Sequence, residues 1–175
     1  VADELSLGHR IFDKMYPAIR FTYERVMGNE WFTEIEQGLW LGGAPSHKRD
    51  YQFIRDHGIS AIINIRAERA DDEAFYAQHD IHHVRYEVPD IGVPDCAIID
   101  DAVKWMKAEA AAGRTILVHC AKGRGRSATL LAAYLMDKNG IGYEDARDLM
   151  KAKRKLVKLE LRHQVMLDQW RSGKW

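Results

Sequence analysis

Thr115-Ile116-Leu117-Val118-His119-Cys120-Ala121-Lys122-Gly123-Arg124-Gly125-Arg126-Ser127-Ala128-Thr129 leads from an apolar run of buried-strand length into a basic, glycine-containing loop and then into a helix. A loop in that place aims several backbone N–H groups at one point, with the positive end of the helix dipole behind them. It is the shape of a phosphate cradle, built from Ala121, Lys122, Gly123, Arg124, Gly125 and Arg126. The same field stabilises a thiolate, so Cys120 is expected to be a nucleophile at neutral pH. Arg126 follows the cysteine after five intervening residues. Its permanently charged guanidinium can offer two parallel N–H bonds to phosphoryl oxygens. Gly123 and Gly125 let the loop fold back between the two.

On either side of this stretch, strands and helices alternate. Short strands are expected at Thr33-Glu34-Ile35 and Leu39-Trp40-Leu41, then a helix capped by Ser46 and ending at His57-Gly58. Ala61 to Ile65 is a buried strand, Asp71 to His79 a helix, and His83 to Val88 alternates like a strand. Further helices are expected from Ala97 to Ala112, Ser127 to Lys138, Tyr143 to Arg154 and Glu160 to Arg171. The pattern predicts an α/β fold with a central, mostly parallel sheet flanked by helices. Residues 1–28 read as an N-terminal helical extension and 29–175 as the main domain; no repeat or low-complexity linker intervenes. In the extension, Ile11, Met15, Ile19 and Val26 recur at near-helical spacing among Arg and Lys, and Pro17 is expected to kink the helix. Such an arm either packs on the domain or lies on a membrane surface.

Composition sets bounds on the partners. Lys+Arg and Asp+Glu are both 26 in 175 residues, so no global field draws in nucleic acid or an anionic membrane, and nucleic acid is not an expected partner. Any attraction for an acidic substrate must be local, and Lys122 and Arg124 beside Arg126 supply it unless they simply face solvent. Two cysteines are too few for a disulfide framework, and a working thiolate needs reducing conditions, which points to the cytoplasm. No apolar run reaches the roughly 18 residues of a membrane span, and Val1-Ala2-Asp3-Glu4-Leu5 does not begin like a secretory signal. Lys151, Arg154, Lys155, Lys158 and Arg162 recur every three or four residues. A helix through them would present a basic stripe, either a solvated face or a surface for an anionic lipid or an acidic protein.

His-Cys, five residues, Arg-Ser resembles the signature loop of the protein-tyrosine-phosphatase superfamily. Within it the chain is most similar to the small dual-specificity phosphatases, and among those to the mitochondrial lipid phosphatases acting on phosphatidylglycerophosphate. Tyr16-Pro17, Trp31 to Ile35, Leu41-Gly42-Gly43-Ala44-Pro45 and Gly92-Val93-Pro94 share that likeness. The resemblance implies a dual-specificity-phosphatase-like fold and a cysteinyl-phosphate intermediate formed without cofactor or metal. It also implies a phosphorylated protein or an anionic phospholipid as substrate, with peripheral membrane contact through the N-terminal arm. Ser127 would ease departure of the cysteine sulfur, a role compatible with capping the following helix, and His119 would brace the loop.

Transfer to sulfur expels an alkoxide or phenoxide, which a carboxylic acid must protonate. In the family this acid comes from a loop 25 to 35 residues before the cysteine. Here that window holds Val88-Pro89-Asp90-Ile91-Gly92-Val93-Pro94-Asp95. Asp90 is the candidate acid, and Asp95 the alternative, since a helix N-cap explains Asp95 without catalysis. Relatives place a Pro and a Gln or Asn near the hydrolytic water; Leu159-Glu160-Leu161-Arg162-His163-Gln164 lacks the proline and leaves His163 or Gln164 for that task, or as ordinary helix residues. Cys96 is either a redox partner for Cys120 or a lone thiol. A phosphate-binding pseudophosphatase would have lost the Cys or Arg, whereas an RNA 5′-phosphatase would share the loop.

Overall fold

The computed structural model describes residues 20–173 and 175. The chain divides into Val1–Trp31 and Phe32–Trp175. In the first unit the described part is helical at Arg20 and Phe21 and continues as a π-helix over Thr22–Val26, closed by Met27 N–H donating to Thr22 O at 3.0 Å. Arg20 stacks its guanidinium 4.5 Å from the Trp31 ring centroid and pairs with Glu24. The expected periodicity of Ile11, Met15 and Ile19 and the kink at Pro17 lie outside the described residues.

In the second unit five strands form one sheet in the order β1-β2-β5-β3-β4. They are β1 (Phe32–Glu36), β2 (Leu39–Gly42), β3 (Ile59–Asn64), β4 (His82–Arg85) and β5 (Thr115–His119). Only the β1–β2 hairpin is antiparallel; β2–β5, β5–β3 and β3–β4 are parallel. Ile62, Ile63, Leu117 and Val118 are fully buried, as expected of strands covered on both faces. The helices are α1 (Lys48–Asp56), α2 (Glu73–Gln78), α3 (Cys96–Ala111), α4 (Arg126–Asn139), α5 (Tyr143–Lys153) and α6 (Leu161–Arg171). The apolar helix α4 sits in the core, with Leu130, Leu131, Ala132 and Leu135 fully buried. Among the described residues no helix is long and apolar enough to cross a membrane.

Two expected boundaries move for local reasons. The cap of α1 is His47 rather than Ser46, because Asp50 Oδ2 accepts the backbone N–H groups of both Ser46 (2.8 Å) and His47 (2.9 Å). The strand expected through Val88 stops at Arg85, whose guanidinium turns back onto the carbonyls of Arg66 (3.0 Å) and Ala67 (2.7 Å). Released from the sheet, Val88 to Asp95 forms the loop that carries both candidate acids.

Strand β5 lies at the centre, and Ile65 N–H donating to His119 O extends its pairing with β3 up to the cysteine. The loop of Cys120 therefore opens at the carboxyl edge of a parallel sheet, where such folds bind ligands.

Candidate active site

The cradle is shaped by glycine on one side and a buried arginine on the other. Gly123 has φ +66°, and a Cβ there would lie 2.5 Å from both the carbonyl carbon and oxygen of Gly42, so only glycine fits. Its N–H donates to Cys120 Sγ at 3.3 Å. Behind the loop, Arg154 is fully buried, its Nε donating to Gly123 O (3.1 Å) and its Nη2 to Lys122 O (3.0 Å). Nη1 reaches Thr33 Oγ1 on β1 at 3.0 Å. Holding those carbonyls on the far side turns the peptide N–H groups toward the sulfur. Arg154 thus leaves the proposed basic stripe. Helix α5 ends at Lys153, Arg154 is extended, and its charge points inward.

Cys120 is buried. Ser127 donates from Oγ to Sγ at 3.3 Å; it lies inside the first turn of α4, whose N-cap is Gly125, so the capping role for Ser127 does not hold. Burial pushes the Cys120 thiol up, but the charge of Arg126, the Ser127 hydroxyl and the backbone N–H groups of Ser127 and Arg124 outweigh it. The thiol is held below its ordinary value.

Arg126, at the start of α4, is also buried, and four of its N–H donors are engaged. Nη1 and Nη2 fork onto the two oxygens of Glu68, each at 2.7 Å. The second hydrogens reach Val88 O (2.8 Å) and Asp90 Oδ1 (3.0 Å). Burial raises the Glu68 carboxyl, but the bond and charge of Arg126 override it and hold the group below the usual range. Glu68 was not among the residues expected from sequence. The signal that could have found it is a charge cluster, Arg66-Ala67-Glu68-Arg69, placed straight after a fully buried parallel strand.

The two candidate acids separate cleanly. Asp90 sits on Arg126, whereas Asp95 is the N-cap of α3, its Oδ1 accepting Ile98 N–H at 2.8 Å. His119 is wholly buried, with Nε2 2.7 Å from Asp71 Oδ2 and Nδ1 3.4 Å from Cys120 O. Asp71 also accepts from Arg66 (2.7 Å) and Tyr76 (3.2 Å), tying the β5 end to the loop after β3.

His163 is buried with Nδ1 accepting Glu160 N–H at 2.9 Å, and its Nε2 is 3.4 Å from where a Gly125 Cβ would stand. Of His163 and Gln164, this places His163 against the loop. Cys96 instead faces α6, its Sγ 3.5 Å from Met166 Sδ, and burial followed by the Asp95 charge raises its pKa. Both cysteines are free thiols, and the contacts of Cys96 Sγ are with Met166 on α6. Lys122 is half-buried and Arg124 exposed. No cluster of three or more metal-ligating side chains occurs among the described residues.

The family model for the dual specificity phosphatase catalytic domain matches residues 39–172. Dual specificity protein phosphatase 1B of Arabidopsis thaliana is 30% identical over 129 residues, covering 73% of this chain and 74% of the relative. The mouse phosphatidylglycerophosphatase and protein-tyrosine phosphatase 1 is 27% identical over 142 residues, 75% of this chain and 74% of the relative. The crystal structure of PTPMT1 in complex with PI(5)P superposes with a TM-score of 0.74 at 21% identity, over 82% of this chain and 96% of that one. A buried cysteine at the carboxyl edge of such a sheet agrees with these likenesses, and the chain belongs to the dual-specificity phosphatase family, as a cysteine-dependent enzyme acting on protein or lipid phosphate.

Proposed function

We propose that Cys120 is the nucleophile, Arg126 the phosphoryl-binding fork and Asp90 the general acid, within a catalytic domain spanning residues 29–175. The observation that carries this reading is the convergence of Gly123 N–H and Ser127 Oγ on Cys120 Sγ, both at 3.3 Å, beside a buried Arg126. The thiolate attacks phosphorus as the P–O bond breaks, and the departing oxygen takes the electron pair and the proton of Asp90. Asp90 then accepts a proton from the water that attacks the phosphocysteine. The P–S electron pair returns to sulfur, stabilised by the Ser127 hydroxyl, while His119 braces the loop through Asp71.

Turnover of a soluble aryl phosphate tests the assignment. Cys120→Ser should abolish turnover while retaining inorganic phosphate binding, and rapid quench of the native enzyme should trap a phosphocysteine. Normal turnover by Cys120→Ser overturns the reading.

For the substrate we propose a phospholipid headgroup phosphate. Support comes from Lys122 and Arg124 around the cradle and from the name of the mouse relative, which joins a phosphatidylglycerophosphatase to a protein-tyrosine phosphatase. The amphipathic pattern of the N-terminal arm adds peripheral membrane contact to this proposal. Comparing rates on phosphatidylglycerophosphate, phosphoinositides and a phosphotyrosine peptide tests it; a peptide turned over faster than any lipid favours the protein substrate.

A further inference from the structure

Ile91, next to the proposed acid, has φ +62°, a conformation that a β-branched side chain rarely adopts. Two bonds hold it there: its own N–H donates to Asp90 Oδ1 at 3.0 Å, and its carbonyl accepts from Arg162 Nη1 at 2.7 Å. The result is an isoleucine side chain 69% exposed on the acid loop. The bond to Arg162 sets that loop beside the first turn of α6, where Leu161 is 73% and Val165 56% exposed, one helical turn apart. Residues held in such sparsely populated conformations cluster at active sites and ligand clamps.

The charges on the same segments are mainly cationic. Lys158 N–H donates to Arg124 O at 2.9 Å, which brings the segment before α6 against the cradle. Lys122, Arg124, Lys158 and Arg162 therefore border the mouth. Against them stand Glu160, shared by Lys158 and Arg162 at 3.1 Å each, and two acid-loop carboxylates. Of these, Asp90 lies on Arg126 and Asp95 caps α3. We infer that the mouth of the active site is an interfacial surface that seats on an anionic lipid bilayer, with Ile91, Leu161 and Val165 entering the headgroup boundary and the cations meeting lipid phosphates. The inference rests on the phospholipid reading above. A phosphopeptide would need clefts for its side chains, whereas these apolar groups are mostly in solvent; a soft interface accepts such protrusions.

The test uses the full chain. Cys120→Ser protein is sedimented with vesicles of phosphatidylcholine alone or with phosphatidylglycerol added, and compared with the same protein carrying Leu161→Ser and Val165→Ser. The serine pair should weaken binding to the anionic vesicles about tenfold or more, and raised salt should weaken it further. In the enzyme with Cys120 intact, the pair should reduce turnover of vesicle-borne phosphatidylglycerophosphate and leave a soluble aryl phosphate unaffected. Unchanged partition overturns the inference, as does a raised KM for phosphotyrosine peptide with vesicle binding intact, which assigns the surface to a protein. A short-chain phosphatidylglycerophosphate below its micelle concentration separates the two claims. If it is hydrolysed while vesicle binding ignores the serine pair, the lipid substrate stands and the docking surface falls. If it is refused while binding depends on the pair, the reverse holds.

Discussion

Asp90 Oδ1 lies 3.0 Å from Nη2 of Arg126, so the proposed acid and the proposed phosphoryl ligand are bonded to each other. Glu68 and Val88 O take three of the remaining Arg126 donors. Glu68 presents two oxygens in a matched fork and Val88 a backbone carbonyl, whereas Asp90 offers one oxygen on a partly exposed side chain. On the proposed assignment the Asp90 contact is the one a substrate oxygen would replace, and its exchange would free the carboxyl to protonate the leaving oxygen.

Asp90→Asn should therefore slow substrates with poor leaving groups by about 100-fold or more, while activated aryl phosphates lose far less. Asp95→Asn should change neither rate, because asparagine also caps helices well. A plot of log rate against leaving-group pKa for both variants checks this. Leaving-group dependence that appears in Asp95→Asn and not in Asp90→Asn would reverse the assignment.

Glu68→Gln keeps the size of the side chain but removes the charge that clamps Arg126. The guanidinium should then lose its fixed plane, with kcat/KM falling about tenfold or more on every substrate irrespective of leaving group. Steady-state kinetics across the aryl phosphate series distinguishes this from loss of the acid.

Arg154→Met leaves the Lys122 and Gly123 carbonyls without their buried donor. The expected loss is about 3 kcal/mol of stability, with weakened phosphate binding in the fraction that folds. Urea unfolding and phosphate titration measure the two effects. Arg154→Lys should recover little, since an ammonium cannot span two carbonyls and Thr33 Oγ1 in one plane.

The contrast between Arg154 and Cys120 shows what the sequence made legible. Strand, loop and helix around Cys120 are contiguous, so periodicity and turn residues place them, and the parallel sheet follows from the strands interleaved with helices. Arg154 lies 34 residues beyond the cysteine, and only the docking of α5 beside the loop turns it inward. By spacing alone it joined a surface stripe. Glu68 escaped for the same reason: its partner Arg126 is 58 residues away, and charge in a loop reads as solvated until the fold closes. Asp95 was legible as a helix cap from its place just before an apolar helix, and the bond from Ile98 N–H to its Oδ1 bears that out; the contact of Asp90 with Arg126, 36 residues away, has no local signal.

Thiol reactivity should mirror the Cys120 environment. Because the Cys120 thiol is held below its ordinary value and Cys96 is raised, iodoacetamide at mildly acidic pH should label Cys120 and spare Cys96. Ser127→Ala removes a bond to the sulfur, so the pH needed for half-maximal labelling should rise. Mass spectrometry of labelled peptides checks both, and equal labelling of the two cysteines would contradict the assignment.

Asp71 predicts how stability responds to acid. Burial raises its carboxyl, but the charge and hydrogen bond of His119, with Arg66 and Tyr76, outweigh it and leave the folded value depressed. A depressed carboxyl contributes stability that is fully present above its unfolded value, about pH 4, and is lost as pH falls through the folded value. Asp71→Asn removes that contribution and gives His119 and Arg66 a neutral partner, which should cost about 2–4 kcal/mol at neutral pH. Urea unfolding of both proteins should then show a wide gap at pH 7 that narrows progressively below about pH 4, as the native carboxylate protonates. Asp71 shares this acid response with Glu68, also depressed, so the single variant should flatten the pH dependence only in part, and the pair with Glu68→Gln should flatten it further. A gap of constant size from pH 7 downward would mean that Asp71 acts by shape alone and that its charge does not hold the β5 end in place.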